Sequence, residues 1–166
     1  KMTHAAASHN ATLPFTRNIV GSMDYTPGTF TDSQYPHITT HAHELALPIL
    51  FESALLHNPD RPSAYEAMPA QVKSLFATLP TVWDETRLLS GYPGTSVVIA
   101  RRKGNTWYVG GINGTDQKLT LSLSPYQLAP NAKTFTLFTD GSDGRSFIID
   151  AAKTTQQTIK IDCLPR

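Results

Sequence analysis

This sequence has almost no cysteine, no membrane-length apolar run and no strong charge bias. Its lone cysteine, Cys163, can close no internal disulfide and build no thiolate metal cluster. No window approaches the roughly 18 uninterrupted apolar residues of a spanning helix. The opening Lys1-Met2 is followed by Thr3, His4 and small residues, not by the apolar core of a secretory leader. Fourteen basic residues against thirteen acidic ones leave a net charge of +1. The one tight basic group, Arg101-Arg102-Lys103, lacks the aromatic interleaving of a nucleic-acid stripe and falls at the end of a candidate hairpin. Neither nucleic acid nor membrane is therefore an expected partner.

What is present divides near residue 79. With 40% hydrophobic residues in a chain of 166, there is material for a real core in one domain or two small ones. All six histidines and most of the helix-like pattern precede that point; after it, apolar and polar residues alternate between turn signals. The boundary is placed at 78–80. Residues 11–15 read as a buried strand that opens into the polar loop Thr16, Arg17, Asn18, Ser22, Asp24, Tyr25 and ends at Pro27-Gly28. Thr39 or Thr40 can cap a helix running to about residue 56, with Pro48 inside it, and Ser63 can cap a second stretch through Phe76 that Pro69 divides. Seven strands follow, expected at 82–89, 96–102, 106–112, 118–123, 135–139, 146–149 and 158–163, and their regular spacing suggests an antiparallel β-sandwich.

The stretches LPFTRNIVGSMDYTPG, HELALPILFES, WDETRLLSGYPG and VVIARRKGNTWYVGGING together resemble the end of the catalytic barrel and the C-terminal domain of glycoside hydrolase family 97, a family of α-glucosidases and α-galactosidases. The resemblance spans nearly the whole chain. It implies α/β followed by all-β: residues 1–78 as the terminal part of a (β/α)8 barrel, and residues 79–166 as a β-sandwich with an oligomerisation role. It also implies a parent α-glycosidase acting on an α-linked oligosaccharide or glycoside, with calcium in the intact enzyme, the rest of the catalytic domain as a partner, a homo-oligomer, and a periplasmic or secreted location. The catalytic carboxylates and the calcium-holding acids of that family lie upstream of the PFTR segment, and its Glu-x-x-x-Gly-x-Glu-like stretch has no counterpart here, so no catalytic residue is assigned to this segment. A stand-alone carbohydrate-binding or assembly module is the other class of function considered; it would have no reason to carry a barrel rim.

If residues 11–15 are a barrel strand, Arg17, Asp24 and Tyr25 are rim residues and the candidates for substrate binding, charged groups for sugar hydroxyls and a ring face for the sugar. The competing account is a structural ion pair of Arg17 with Asp24. His41-Ala42-His43-Glu44 lacks the His-Glu-x-x-His spacing that would put two imidazoles on one helix face, and is expected to be a solvated or interdomain helix end. Asp140-Gly141-Ser142-Asp143-Gly144 places oxygen ligands alternately but lacks the distal glutamate of a calcium loop, which leaves a hairpin turn. Trp83, Trp107, Tyr92 and Tyr108 offer a carbohydrate face only in part, because adjacent Trp107 and Tyr108 must face opposite ways in a strand.

Overall fold

The computed structural model describes residues 3–32, 35–155 and 157–165. Helices come first: α1 (Ala6–Asn10), α2 (His41–Leu50), α3 (Pro62–Glu66) and α4 (Ala70–Thr78), with α5 (Pro125–Leu128) later among the strands. The strands are β1 (Glu85–Tyr92), β2 (Ser96–Lys103), β3 (Thr106–Asn113), β4 (Leu119–Leu123), β5 (Thr134–Asp140), β6 (Phe147–Lys153) and β7 (Ile159–Cys163). They form a sheet in the order β1-β2-β3 and two ribbons, β4-β7 and β5-β6, every pairing antiparallel. The chain is thus mostly β with few helices, consistent with the sandwich that the strand spacing suggests.

The strand expected at 11–15 is corrected: among the described residues no strand precedes Glu85. Leu13–Phe15 and Arg17–Val20 are two 3-10 turns that prolong α1. Pro14 has no amide to give a ladder and suits the first turn of a helix. The Thr12 and Thr16 hydroxyls donate back to the carbonyls of Ser8 (2.8 Å) and Thr12 (3.1 Å), a bond that only a helical path brings within reach.

α2 is capped as expected, the Thr40 hydroxyl accepting from the His43 amide at 3.2 Å. It ends at Leu50, six residues short of the expected end at 56, because Phe51 turns to an extended conformation and Glu52 pairs with an earlier loop, its carbonyl accepting from Met23 at 2.9 Å. Pro62, not Ser63, opens α3 in the N1 position, and Pro69 does divide α3 from α4. The first strand starts three residues later than expected and runs through Gly91, where a β-carbon would collide with the Ser96 carbonyl.

Two glycines set the layers. In β3, Gly110 lies under α2, where a β-carbon would come within 3.0 Å of the Ala46 carbonyl and 3.2 Å of Ile49; Gly111, facing the other way, meets Leu121 of β4 at 3.0 Å. α2 and the β4-β7 ribbon therefore approach opposite faces of the sheet. β2 sits between them, and Val97, Val98, Ile99 and Ala100 are all buried, which explains a continuous apolar run in place of alternation. The core joins both halves of the chain: Ala11, Met23, Ala46, Leu47, Leu50 and Phe51 pack with Val97, Ile99 and Ile112.

Candidate functional site

The loop from Arg17 to Asp32 is tied down along its length by side chains from the rest of the chain. At its base, Asn18 and Glu52 exchange two bonds: the Asn18 amide donates to the Glu52 carbonyl and the Glu52 N–H donates to Asn18 Oδ1, both at 3.2 Å. Further on, Asp60 accepts from the amides of Phe30 (2.7 Å) and Thr31 (2.8 Å) and from the Thr31 hydroxyl. Burial pushes the Asp60 carboxyl up, but these donors outweigh it and hold the group below its ordinary value. Glu44 accepts from the Thr39 hydroxyl at 2.7 Å and the Gly28 amide at 3.3 Å, and burial raises its carboxyl. The Tyr65 hydroxyl closes the clamp on the Gly28 carbonyl at 2.9 Å.

The three sequence-predicted site residues fare differently on this loop. Arg17 is exposed and donates to the carbonyls of Gly21 (3.2 Å) and Ser22 (2.9 Å), not to Asp24, so the ion pair considered for them is not formed. Asp24 stands exposed. Tyr25 is half-buried, its ring edge-on to Phe51 at 4.6 Å, and its hydroxyl donates to Asn10 Oδ1 at 2.7 Å. Burial, with the Glu44 carboxylate adding to it, pushes the phenol up to about 12. Asn10 passes the network on by donating to His43 Nε2 at 3.0 Å, which puts the imidazole proton on Nδ1. Burial lowers His43 to about 3, so it stays neutral. Of the three, Arg17 and Asp24 are exposed and Tyr25 is half-buried, and Arg17 is engaged with its own loop.

His41 and His43 leave α2 in different directions, as the spacing requires, but both are buried and not solvated. His41 packs among Phe30, His37 and Phe147. The Asp140–Gly144 stretch is a hairpin turn: Asp143 accepts from the amides of Arg145 and Ser146, each at 2.8 Å, and from the Ser146 hydroxyl. Its next residue, Arg145, reaches across to Asp32 and to the carbonyls of His37 and Thr39, and so binds the turn to the loop before α2. The aromatic face is taken up internally: Arg87 stacks on Trp107 at 4.7 Å, and Trp83 packs edge-on to Tyr108 at 5.3 Å, leaving Tyr92 exposed.

Sequence reasoning missed Arg101. It is 3% exposed and donates to the last carbonyls of α2, Ile49 at 2.6 Å and Leu50 at 3.1 Å, while also bonding the Glu52 carboxylate and the Thr86 hydroxyl. The signal was available in the alternation, since a strand puts Arg101 on the same face as Val97 and Ile99. A charge on the buried phase of a strand needs partners.

The family description "Glycosyl-hydrolase 97 C-terminal, oligomerisation" matches residues 82–166. A probable retaining alpha-galactosidase of Streptomyces bingchenggensis (strain BCW-1) is 41% identical over 83% of this chain. The retaining alpha-galactosidase of Bacteroides thetaiotaomicron is 36% identical over 80% of it. The chain spans 21% of the length of each of these relatives. Among solved structures, a beta-arabinopyranosidase superposes with a TM-score of 0.86 at 29% identity, covering 98% of this chain and 27% of that one. A glycoside hydrolase family 97 enzyme from Pseudoalteromonas sp. strain K8 in complex with acarbose superposes with a TM-score of 0.82 at 28% identity, over 96% of this chain and 27% of that one.

Proposed function

Because this chain belongs to glycoside hydrolase family 97 through the C-terminal domain at residues 82–166, we propose that it is the terminal segment of a longer retaining α-galactosidase. The observation that carries the reading is the 41% identity to such an enzyme over 83% of the chain, which extends well upstream of the C-terminal domain. In this reading residues 1–78 lie against a (β/α)8 catalytic barrel whose strands belong to the preceding part of the enzyme. The exposed apolar residues Ile19 and Val20, 72% and 81% accessible, are the surface that the barrel would cover. The loop bearing Arg17, Asp24 and Tyr25 forms one wall of the sugar site. Asp24 takes a sugar hydroxyl, while Arg17 and Tyr25, engaged with the chain itself, shape the loop.

Acid, base and nucleophile belong to upstream carboxylates, one protonating the leaving group and the other attacking the sugar. Calcium is likewise assigned upstream, since Asp60, Glu44 and Asp143 here are committed to amides and hydroxyls of this chain. The β domain contributes self-association, and the enzyme works in the periplasm or outside the cell. The intact enzyme should hydrolyse nitrophenyl α-galactoside in preference to the α-glucoside, and this segment alone should hydrolyse neither; failure of the intact enzyme on the galactoside overturns the assignment. Asp24→Ala in the intact enzyme should lower kcat/KM about ten- to a hundredfold, the worth of a charge-assisted hydrogen bond of about 1.5–3 kcal/mol. Its melting temperature should hold, because the side chain is exposed. A variant that melts several degrees lower with unchanged kinetics would remove Asp24 from the site.

A further inference from the structure

We infer that Arg101 and Glu52 form a positioning pair through which the β1-β2-β3 sheet sets the loop carrying Asp24, so that the β domain tunes sugar binding in addition to any role in assembly. The inference rests on the proposed placement of that loop in the sugar site. Glu52 links the sheet to the loop because its two ends serve different parts of the molecule. Its carboxylate bonds Arg101 on β2. Its main chain holds the loop, the carbonyl accepting from Met23 at 2.9 Å and from the Asn18 side chain at 3.2 Å, and the amide donating to Asn18 at 3.2 Å. Met23 and Asn18 directly adjoin Asp24 and Arg17.

Capping α2 accounts for only part of what Arg101 does. Nε and one Nη2 hydrogen suffice for the Ile49 and Leu50 carbonyls. The remaining donor group, Nη1, goes to Glu52 and to Thr86 of β1, which fixes the side chain between two strands and one loop base. The guanidinium also lies 5.9 Å from the Trp83 ring. A planar fork with this many fixed partners has one geometry, and a lysine cannot reproduce it. Displacement of the sheet relative to α2 is thereby passed to the loop through a single side chain.

Two variants of the intact enzyme separate positioning from mere support. Arg101→Lys removes the fork, and Glu52→Gln keeps the main-chain bonds and the α2 cap but weakens the charged link. With either, KM for nitrophenyl α-galactoside should rise about tenfold with kcat within about twofold, the pattern of lost binding without lost chemistry. Hydrogen exchange in the peptide covering residues 18–25 should quicken at least about tenfold, while strands β5 and β6 keep wild-type protection. Combining Asp24→Ala with Glu52→Gln should add little to the KM of Asp24→Ala alone, because both act on the same contact. Unchanged KM, or exchange that quickens throughout the molecule or nowhere, overturns the inference. Absence of galactosidase activity in the wild-type enzyme would instead sink the functional assignment, and the exchange measurement would still decide whether Arg101 and Glu52 govern the loop. If Arg101→Lys does not fold, Glu52→Gln carries the test, since it leaves the buried guanidinium with its two α2 carbonyls.

Discussion

The sheet β1-β2-β3 with α2, and the ribbons β4-β7 and β5-β6, are built from similar short apolar elements but are packed to different degrees. On the sheet, five consecutive residues of β2, Val97 to Arg101, are buried, and α2 presents Leu47 and Leu50 at 1% and 0% exposure. In the ribbons no apolar side chain is fully buried, and they border an open cavity of about 700 Å³ lined by Leu121, Phe135, Leu137, Ile159 and Ile161. The dense side owes its packing to the segment that precedes the strands. α2 supplies the layer that the β domain lacks, and the Gly110-Gly111 pair lets helix and ribbon approach the sheet from opposite sides. The two parts suggested by composition therefore share one core, and the division of labour falls between the sheet and its ribbons.

Core truncations measure this contrast most directly. Leu50→Ala should cost about 2–5 kcal/mol in denaturant unfolding, the range for a fully buried leucine whose cavity cannot collapse. Ile161→Ala, on a half-buried ribbon, should cost about 1–2 kcal/mol, since less apolar area returns to water. Equal losses at the two positions would mean that the ribbons hold a second core and that the contrast does not exist.

Acid should strike the dense side through His43. Its imidazole titrates at about 3 when folded against an ordinary 6.5. As pH falls below 6.5 the unfolded chain takes up the proton first, so stability is full above 6.5 and drains away toward about 3, with about 2 kcal/mol gone at pH 5. His41, also lowered by burial and then by Arg145 and His37, adds in the same direction. Urea unfolding at pH 7 and pH 5 should show the wild-type loss shrink in His43→Gln by about that 2 kcal/mol. Identical pH slopes in the two proteins would show that His43 is not held neutral by burial.

The smallest expected effect sharpens where α2 begins. Thr40→Ala removes the hydroxyl that accepts from the His43 amide and should cost about 1 kcal/mol, with Thr40→Ser restoring most of it. A loss that serine does not recover would assign the effect to the Thr40 methyl group, which a β-carbon at Gly144 of the β5-β6 turn would approach within 3.2 Å.

Much of this protein was legible from local chemistry. Lys103-Gly104-Asn105 between two apolar runs specified the β2-β3 hairpin, Asp140-Gly141-Ser142-Asp143-Gly144 the turn between β5 and β6, Thr40 the start of α2, and Pro69 the break before α4. Each depends on groups within a few residues of one another, which any chain of this sequence brings together. The family was legible too, in motifs spread from residue 13 to residue 114. The path of residues 11–20 was not: an apolar run bounded by polar residues suits a strand or a helical turn, and back-bonding from Thr12 and Thr16 chose the turn. The end of α2, the network from Tyr25 through Asn10 to His43, and the several roles of Arg101 join residues 15 to 52 positions apart. Sequence alone determined which short segments could form and which faces were apolar; tertiary structure decided which segments meet, because a buried charge or amide is stable only where distant partners arrive to satisfy it.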